Sequence, residues 1–539
     1  MTEPEWVSLP AGDSINGKAR TAALAVSRAA VAEPVGKVAY QSAGKLLVIG
    51  TETAIEAATA VLGSFDNISA TGLVTANGAG APLLTGYLGH FELLVAAAEP
   101  QVYDLVLDLG SPPLLQSELP PPGYFAPGDN PVAVRAALDG LTDLTGEFEK
   151  PQYFHYDASI CAHGRSGITA CTRCLQSCPT DAITSAGDAI EVNPNLCQGA
   201  GSCATACPTG AITYSYPRLS DSLDRLRAML KAYRENGGTD AVLLFHDGEA
   251  GHDVVAAVTS QLPEHILPVE VEELGSVGMD TWLSALAYGA AAVVLLGTSR
   301  LPRSVENEIQ AQLGIACALL AGMGYSPDVL LYTRYQDTDL IGLLGNLSLL
   351  SNPEPAGFAG LNEKRTVIRL AVDHLFASAT GQTRPLVSLP SGAPFGEVLL
   401  DKTRCTLCLA CVSQCPASAL SAGDEAPQLG FIEANCVQCG LCCRTCPEDA
   451  IAITPRYLYD FPTRNTRRIL FEEEPFACIV CGKPFATRQM IEKIIGKMKG
   501  HPMFQGPELE RLKMCEDCRV KAMLANKDDG KPVSPGGFS

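Results

Sequence analysis

Basic residues are scarce in this chain of 539 residues, and it lacks a signal-like N-terminus and long apolar runs. Its 39 Lys and Arg are outnumbered by 59 Asp and Glu, and the net charge of −20 argues against a nucleic-acid or anionic-membrane partner. The opening MTEPEWVSLPAGDS lacks the apolar core of a signal peptide. The most apolar stretch, Leu283 to Gly297, is too short and too rich in Ala and Gly to span a bilayer. We therefore expect a cytoplasmic protein with reduced thiols and no membrane insertion.

Cysteine, in contrast, is abundant, with 21 residues. Two runs of the form C-x2-C-x2-C-x3-C-P begin at Cys405 and Cys436, which is the pattern of bacterial two-cluster ferredoxins. In that pattern three thiolates come from one run and the fourth comes from the other. The runs favour two [4Fe–4S] clusters over zinc or disulfides. The predicted ligand sets are Cys405, Cys408, Cys411 and Cys446, and Cys415, Cys436, Cys439 and Cys442.

A less regular pair of runs lies earlier, between Tyr153 and Pro217. Its tails, CPTDAI and CPTGAI, match CPASAL and CPEDAI of the later runs, which indicates an internal repeat. Nine residues, AHGRSGITA, follow Cys161 where two are expected. We expect a bulged loop over a complete [4Fe–4S] site. The predicted ligands are Cys161, Cys171, Cys174 and Cys207.

The second site of this earlier pair lacks one cysteine, because the run CQGAGSC has Ala200 where the second ligand is expected. Three thiols remain: Cys178, Cys197 and Cys203. Three thiolates suit a [3Fe–4S] cluster, or an open [4Fe–4S] cluster whose fourth iron binds water, a substrate or another side chain. An empty site is the third interpretation. Ser202 and His163 are candidate fourth ligands, although roles in the loop are the simpler interpretation.

Two further C-x2-C pairs lie near the C-terminus, in FACIVCGKPF and MCEDCR. Four thiolates on two separated knuckles are typical of a closed, tetrahedral structural zinc site. A fifth iron centre and free thiols are the alternatives. The predicted zinc ligands are Cys478, Cys481, Cys515 and Cys518.

Strand and helix patterns alternate between the two cysteine-rich regions, which predicts a parallel sheet wrapped by helices. No G-x-G-x-x-G follows the apolar strand Lys45–Gly50, so no nucleotide fingerprint is present. The predicted fold class is α/β and α+β multidomain, with two ferredoxin-like two-cluster units separated by a parallel α/β domain. The expected segments are an N-terminal extension (1–38), a small α/β domain (39–150), ferredoxin-like unit 1 (151–217), the parallel α/β domain (218–380), ferredoxin-like unit 2 (381–456), the zinc-knuckle domain (457–525) and a disordered tail (526–539).

The combination of CAHGRSGITACTRCLQSCP, CQGAGSCATACPTGAI and the FACIVCGKPF…MCEDCR tail resembles bacterial polyferredoxin-type 4Fe–4S binding proteins. Proteins of that family are often encoded near molybdenum-dependent formate dehydrogenases, so the resemblance implies such an enzyme as a partner. Residues 240–333 resemble the delta subunit of methyl-viologen-reducing hydrogenase. Cys317 stands alone there, so the resemblance implies the fold and not that subunit's [2Fe–2S] cluster.

These features predict a protein that relays single electrons between redox protein partners, with three [4Fe–4S] clusters, a three-thiolate site and zinc. No catalytic residues are assigned, and a non-catalytic carrier or oxidoreductase subunit fits better than an enzyme. A flavin- or nicotinamide-linked oxidoreductase subunit is one alternative, although no motif supports a flavin. The other alternative is a maturation or sensing partner of a molybdoenzyme.

Overall fold

The computed structural model describes residues 7, 9–10, 12–63, 66–74, 82–95, 99–128, 130–350, 354–381, 383–424 and 426–525. The segment expected to be a disordered tail, 526–539, lies outside these residues. The described residues belong to two compact units. The larger unit comprises 1–163 and 171–390, and the smaller unit comprises 164–170 and 391–539. None of the described helices has both the length and the apolar character that a bilayer span needs.

The N-terminal part of the larger unit begins with a helix that the sequence analysis did not assign. Its cap is Ser14, whose Oγ accepts a hydrogen bond from the Gly17 amide at 3.1 Å, and Ala19 and Ala23 are fully buried. The elements up to residue 151 are α1 (Ile15–Ala29), β1 (Lys37–Ser42), β2 (Lys45–Gly50), α2 (Glu52–Leu62), β3 (Ser69–Val74), β4 (Leu83–Tyr87), β5 (His90–Leu94), β6 (Gln101–Tyr103), β7 (Leu105–Asp108), β8 (Tyr124–Phe125), α3 (Pro131–Leu141) and β9 (Gly146–Pro151).

A parallel sheet of order β3-β2-β7-β8 forms the small α/β layer, and the predicted strand Lys45–Gly50 is its β2. Leu46 and Val48 on β2 pack with Leu105 and Leu107 on β7, and all four side chains are fully buried. Strand β9 pairs antiparallel with β1, with Lys150 opposite Val38. Because β9 ends at Pro151, this pairing ties the start of the first cysteine segment, 151–217, to β1.

The first cysteine segment is built from short elements joined by loops. These are β10 (Phe154–Tyr156), β11 (Gly164–Arg165), β12 (Ile168–Thr169), α4 (Arg173–Ser177), β13 (Ile183–Ala186), β14 (Ala189–Val192), α5 (Ser202–Ala206) and β15 (Ile212–Tyr214). Strands β10 and β15 pair antiparallel, as do β13 and β14. The antiparallel hairpin β11–β12 lies within the nine-residue insertion, and it belongs to the smaller unit.

The predicted parallel sheet is present in the larger unit, with order β17-β16-β18-β19. Its central strands are buried on both faces, since consecutive residues such as Leu243 and Leu244, which point to opposite faces, have no exposed surface. Helix α1 packs against α6. The elements are α6 (Leu219–Glu235), β16 (Val242–Asp247), α7 (Ala250–Val258), β17 (Ile266–Val271), α8 (Met279–Ala287), β18 (Ala292–Gly297), α9 (Arg303–Gly322), β19 (Leu330–Arg334), α10 (Leu340–Gly345), α11 (Lys364–Ser378) and β20 (Leu386–Ser388).

The smaller unit contains the later cysteine runs. Its elements are β21 (Gly396–Leu400), α12 (Ala410–Ser413), β22 (Leu420–Ala422), β23 (Gln428–Phe431), α13 (Leu441–Thr445), β24 (Ile451–Leu458), α14 (Phe461–Asn465), β25 (Arg468–Glu472), β26 (Pro475–Ala477), β27 (Pro484–Thr487), α15 (Arg488–Met498), α16 (Pro507–Arg511) and α17 (Glu516–Ala525). Strand β21 pairs with β24, and β23 pairs with both β22 and β25. Because β25 lies beyond residue 456, the sheet of the second cysteine segment, 381–456, includes a strand from residues that we assigned to the zinc-knuckle domain.

Candidate metal centres

The first predicted ligand set of the second cysteine segment lines one small cavity. Cys405 and Cys408 lie on the loop before α12, Cys411 lies within α12, and Cys446 directly follows α13. Burial raises the pKa of Cys411 to about 12, and the neighbouring sulfurs of the set add to this effect. Thiols that repel one another as anions fit a cationic metal centre, which favours the charged form of all four.

The other ligand set of this segment lines a second cavity, together with apolar walls such as Val398 and Ile453. Its members are Cys415, Cys436, Cys439 and Cys442. A hydrogen bond with the neighbouring Cys443 side chain raises the pKa of Cys442, and burial acts in the same direction. Cys443, which is out of phase with the motif, therefore contacts a predicted ligand rather than replacing one.

Uncharged donors point at the ligand sulfurs of the second cysteine segment. The amides of Ala419 and Ala450 donate to the Sγ atoms of Cys415 and Cys446 at 3.2 and 3.3 Å. The Gln438 Nε2 donates to the Sγ of Cys436 at 3.3 Å. Donors of this kind stabilise thiolate sulfur and influence the potential of a cluster.

The repeated C-P-x-x-A tail has a local structural reason. In all four tails the residue three positions after the cysteine has a positive φ, a conformation that Gly, Asp and Ser tolerate better than large side chains. This turn presents the next amide toward the cysteine sulfur in both tails of the second cysteine segment. The four residues are Asp181 (φ 54°), Gly210 (φ 79°), Ser418 (φ 49°) and Asp449 (φ 45°).

The complete site predicted in the first cysteine segment is also gathered in space. Burial raises the pKa of Cys174 to about 12, and the close sulfurs of Cys207, Cys171 and Cys161 raise it further. Burial likewise raises the pKa of Cys171, with Cys207 and Cys161 among the contributors. The insertion after Cys161 therefore leaves the four predicted thiols near one another.

His163, considered above as a fourth ligand of the three-thiol site, is engaged elsewhere. Its side chain is buried, and its ring nitrogens lie 2.8 Å from the Cys171 carbonyl oxygen and 2.7 Å from the Ser185 Oγ. With both nitrogens bonded, the imidazole links the loop before Cys171 to strand β13. It has the structural role that was the simpler interpretation.

The three-thiol site is similarly brought together. The pKa of Cys203 is raised well above its usual value by burial, and by the nearby sulfurs of Cys197 and Cys178. Ala200 lies between Gly199 and Gly201, which have φ values of 82° and 76°. A Cβ at Gly201 would lie 2.4 Å from the Ser276 Cα, so only glycine fits there.

Ser202, the other candidate fourth ligand, is buried, and its hydroxyl donates to the Ser177 carbonyl at 2.6 Å. This bond joins α5 to the end of α4, on the two runs of the segment. Ser202 therefore has a structural partner, and the predicted ligands of this site stay the three thiols Cys178, Cys197 and Cys203.

Two lysines contact main-chain carbonyls of ligand residues in the first cysteine segment. The Lys150 Nζ donates to the Cys197 carbonyl at 2.6 Å, and burial lowers the pKa of Lys150 to about 8. The Lys364 Nζ donates to the Cys207 carbonyl at 3.3 Å and to the Ala204 carbonyl at 3.0 Å. The sequence analysis assigned neither residue, because both lie outside the cysteine motifs.

The C-terminal cysteines form the tightest group of thiols. Each Sγ lies within 4.8 Å of the others. Burial acts to raise the pKa of Cys478, but amide donors, including those of Cys515 and Cys481, outweigh it and lower the value to about 6. A thiol that ionises near neutral pH is suited to bind a metal. The group consists of Cys478, Cys481, Cys515 and Cys518.

A cavity of about 250 Å³ lies at the carboxyl ends of β16 and β17 in the larger unit. Its lining includes Ala204 and Thr205, which lie between Cys203 and Cys207, and polar side chains such as Arg225, Glu272 and Tyr216. Ligands of parallel α/β sheets bind at this edge.

The histidines of the same sheet edge have local partners. His246 is buried, and burial lowers its pKa. His252 pairs with Glu270, with 2.8 Å between Nδ1 and the nearer carboxylate oxygen. Burial and this ion pair are structural roles within the fold.

Two family matches fall in the cysteine segments. The family described as "4Fe-4S dicluster domain" matches residues 169–211, and the "4Fe-4S binding domain" matches residues 398–421. A curated relative, the hydrogenase-4 component A of Escherichia coli (strain K12), is 40% identical over 75 residues. That match covers 13% of this chain and 37% of the relative.

These matches confirm ferredoxin-type 4Fe–4S domains in both cysteine segments. The chain therefore contains iron–sulfur domains of the ferredoxin type, and its fold is of the mixed α/β class.

Proposed function

We propose that the chain relays single electrons through four iron–sulfur centres, two in each cysteine segment. Three would be [4Fe–4S] clusters, and the fourth would be a [3Fe–4S] cluster held by Cys178, Cys197 and Cys203. The observation that carries the proposal is the placement of two complete four-thiol sets around separate cavities of the smaller unit. The repeat extends the same interpretation to the first cysteine segment.

The residues of each site suit electron transfer more than substrate chemistry. When loaded, such a site accepts and releases one electron with little rearrangement of its ligands. Amide and side-chain donors at Cys415, Cys436 and Cys446 hold the sulfurs in place and stabilise their charge. Apolar walls, including Val398 and Ile453, limit the access of water.

The four C-terminal thiols would hold one structural zinc ion. All four Sγ atoms lie within 4.8 Å of one another, which fits a single ion better than a cube. Zinc has no redox chemistry of its own, so this site would stabilise the end of the smaller unit.

The partners would be redox enzymes. The relative named above is a hydrogenase component by its name, and the resemblance to polyferredoxin-type proteins favours a molybdenum-dependent formate dehydrogenase. The net charge of −20 would steer the chain toward a basic docking surface on either enzyme. Anaerobic mixing with formate and a formate dehydrogenase should bleach the cluster absorbance. Absence of bleaching with both a formate dehydrogenase and a hydrogenase would reject these partners.

The first test of the relay is iron, sulfide and zinc analysis of the anaerobically purified chain, with EPR before and after dithionite. We expect about fifteen irons, a [3Fe–4S] signal in the oxidised sample and interacting reduced cubes. One zinc per chain would support the C-terminal site. A content of about eight irons would contradict the relay, because the first cysteine segment would then be an empty scaffold.

A second candidate function is an oxidoreductase that binds a flavin or nicotinamide. The cavity of about 250 Å³ favours it, because its wall includes Ala204 and Thr205 on the helix that carries Cys203. Such a cofactor would pass electrons to the neighbouring centres. Flavin absorbance in the purified protein, or bleaching of the clusters by NADH or NADPH, would favour this function over a simple relay.

A further inference from the structure

A buried lysine approaches the complete site of the first cysteine segment from a distant part of the chain. Lys364 is the first residue of α11, and it is only 7% exposed. Its Nζ donates to the carbonyl oxygens of Ala204 at 3.0 Å and Cys207 at 3.3 Å, and also to that of Thr205. The ammonium group therefore has three acceptors on the backbone next to a predicted ligand.

A second lysine makes a similar contact with a main-chain carbonyl at the three-thiol site. Lys150 lies on β9, and its Nζ donates to the Cys197 carbonyl at 2.6 Å and the Asn195 carbonyl at 2.9 Å. It also lies 4.9 Å from the centroid of the Tyr40 ring. Each predicted centre of this segment thus has a lysine ammonium on the main-chain carbonyl of one ligand cysteine.

Burying an ammonium is unfavourable unless charge or dipoles compensate it. The backbone carbonyls supply only dipoles. The Glu308 carboxyl interacts electrostatically with Lys364, although burial, the largest influence on the Glu308 pKa, disfavours its charged form. A thiolate-ligated cluster, which is anionic, would provide a further counter-charge.

We propose that Lys150 and Lys364 are positioning residues that raise the reduction potentials of the two centres of the first cysteine segment. The inference rests on the proposed function, because it requires clusters at these thiols. Reduction adds negative charge to a centre, and a fixed positive charge nearby makes that step more favourable. The donors described at the ligand sulfurs of the second cysteine segment are, in contrast, uncharged.

The test is an EPR-monitored redox titration of the full-length protein, purified anaerobically. Lys364→Gln and Lys150→Gln each keep a hydrogen-bond donor and remove the charge. We expect each variant to bind iron like the wild type but to make the reduction of one centre about tenfold less favourable, which for one electron is about 59 mV. Lys364→Arg and Lys150→Arg, which keep the charge, should restore the wild-type potentials.

Lys231→Gln is the matched control, because Lys231 is two-thirds exposed and pairs only with Glu235 among the described ion pairs. It makes the same change in net charge and should leave all potentials unchanged. If Lys364→Gln fails to assemble its centre, the reduction potential of the Lys150→Gln variant tests the inference at the three-thiol site.

Wild-type potentials in every iron-loaded Gln variant would overturn the inference and leave the relay intact. A shift of equal size in the Lys231→Gln control would also overturn it, since the effect would then be one of net charge alone. Absence of iron from the first cysteine segment of the wild type would overturn both the inference and the relay.

Discussion

The two cysteine segments share one repeated motif but differ in their predicted ligands and in the donors around them. In the second segment the eight predicted ligands are in phase, and the donors at their sulfurs, such as Gln438 and Ala419, come from the segment itself. In the first segment Ala200 stands where a ligand is expected, and lysines from elsewhere in the chain contact the carbonyls of two predicted ligands. The backbone turn of the C-P-x-x-A tail is common to both. A repeat can therefore keep its backbone while its ligands and electrostatics change.

The largest expected effect comes from removing a ligand in each segment. Cys411→Ala should lower the iron content by about four per chain, whereas Cys203→Ala should lower it by about three. The difference follows from the number of thiols at each site. Iron and sulfide analysis checks it, with Cys317→Ala as a control that should lose none. Equal losses of four would show that the first segment holds two complete cubes.

Disrupting the C-terminal group should remove zinc without affecting either cysteine segment. Cys515→Ser should abolish the single zinc and expose the end of the smaller unit to proteolysis, because structural zinc contributes directly to folding. Metal analysis together with limited proteolysis measures both effects. Loss of about four irons instead would show that this group is a fifth iron centre.

A buried ion pair in the second segment is expected to stabilise its fold. Arg456 donates to both carboxylate oxygens of Glu433, at 2.9 and 2.7 Å, just before the ligand Cys436. Arg456→Met should lower the free energy of unfolding by about 3 kcal/mol, since it removes both hydrogen bonds from a buried carboxylate and leaves it with the longer contact to Arg468 at 3.3 Å. Denaturant unfolding, followed at the cluster absorbance, measures the change.

The control is Arg135→Met. Arg135 forms an exposed pair with Asp139 at 3.1 Å in the larger unit, and its loss should cost less than about 1 kcal/mol. A similar cost for both variants would mean that the pair at Glu433 does not support the second segment.

A further difference between the segments can be removed by placing a cysteine at position 200 of the first segment. Ala200→Cys should add about one iron per chain and abolish the [3Fe–4S] signal, because it completes the C-x2-C-x2-C spacing. Ala186→Cys, on an exposed residue of β13, is the control for an added thiol. Retention of the oxidised signal in Ala200→Cys would show that the loop cannot present a fourth thiolate.

The smallest effect is expected at Cys443. Cys443→Ser should leave the iron content unchanged, because this thiol lies outside the ligand phase and only hydrogen-bonds Cys442. EPR should show at most a small shift in the signal of one centre. A loss of four irons would identify Cys443 as a ligand in place of Cys442.

Much of this arrangement was predictable because it is encoded locally. Cysteine spacing determines which thiols share a loop, so the groups around Cys411 and Cys174 were expected. The alternation of strands and helices likewise predicted the parallel sheet that contains β16 and β18. The helix Ile15–Ala29 was missed, although its Ala-rich pattern behind the Ser14 cap was a usable signal. The assignment of each thiol to a particular cluster stays a prediction.

The cysteine motifs alone indicate iron–sulfur chemistry, because ligand type and spacing are properties of short segments. Tertiary structure decided which distant residues surround those ligands. Lys150 and Lys364 carry no motif, and β25 gave no sign that it would complete the sheet of the second cysteine segment. The physical reason is that charge, burial and strand pairing act through space, between residues whose separation along the chain holds no information about their contact.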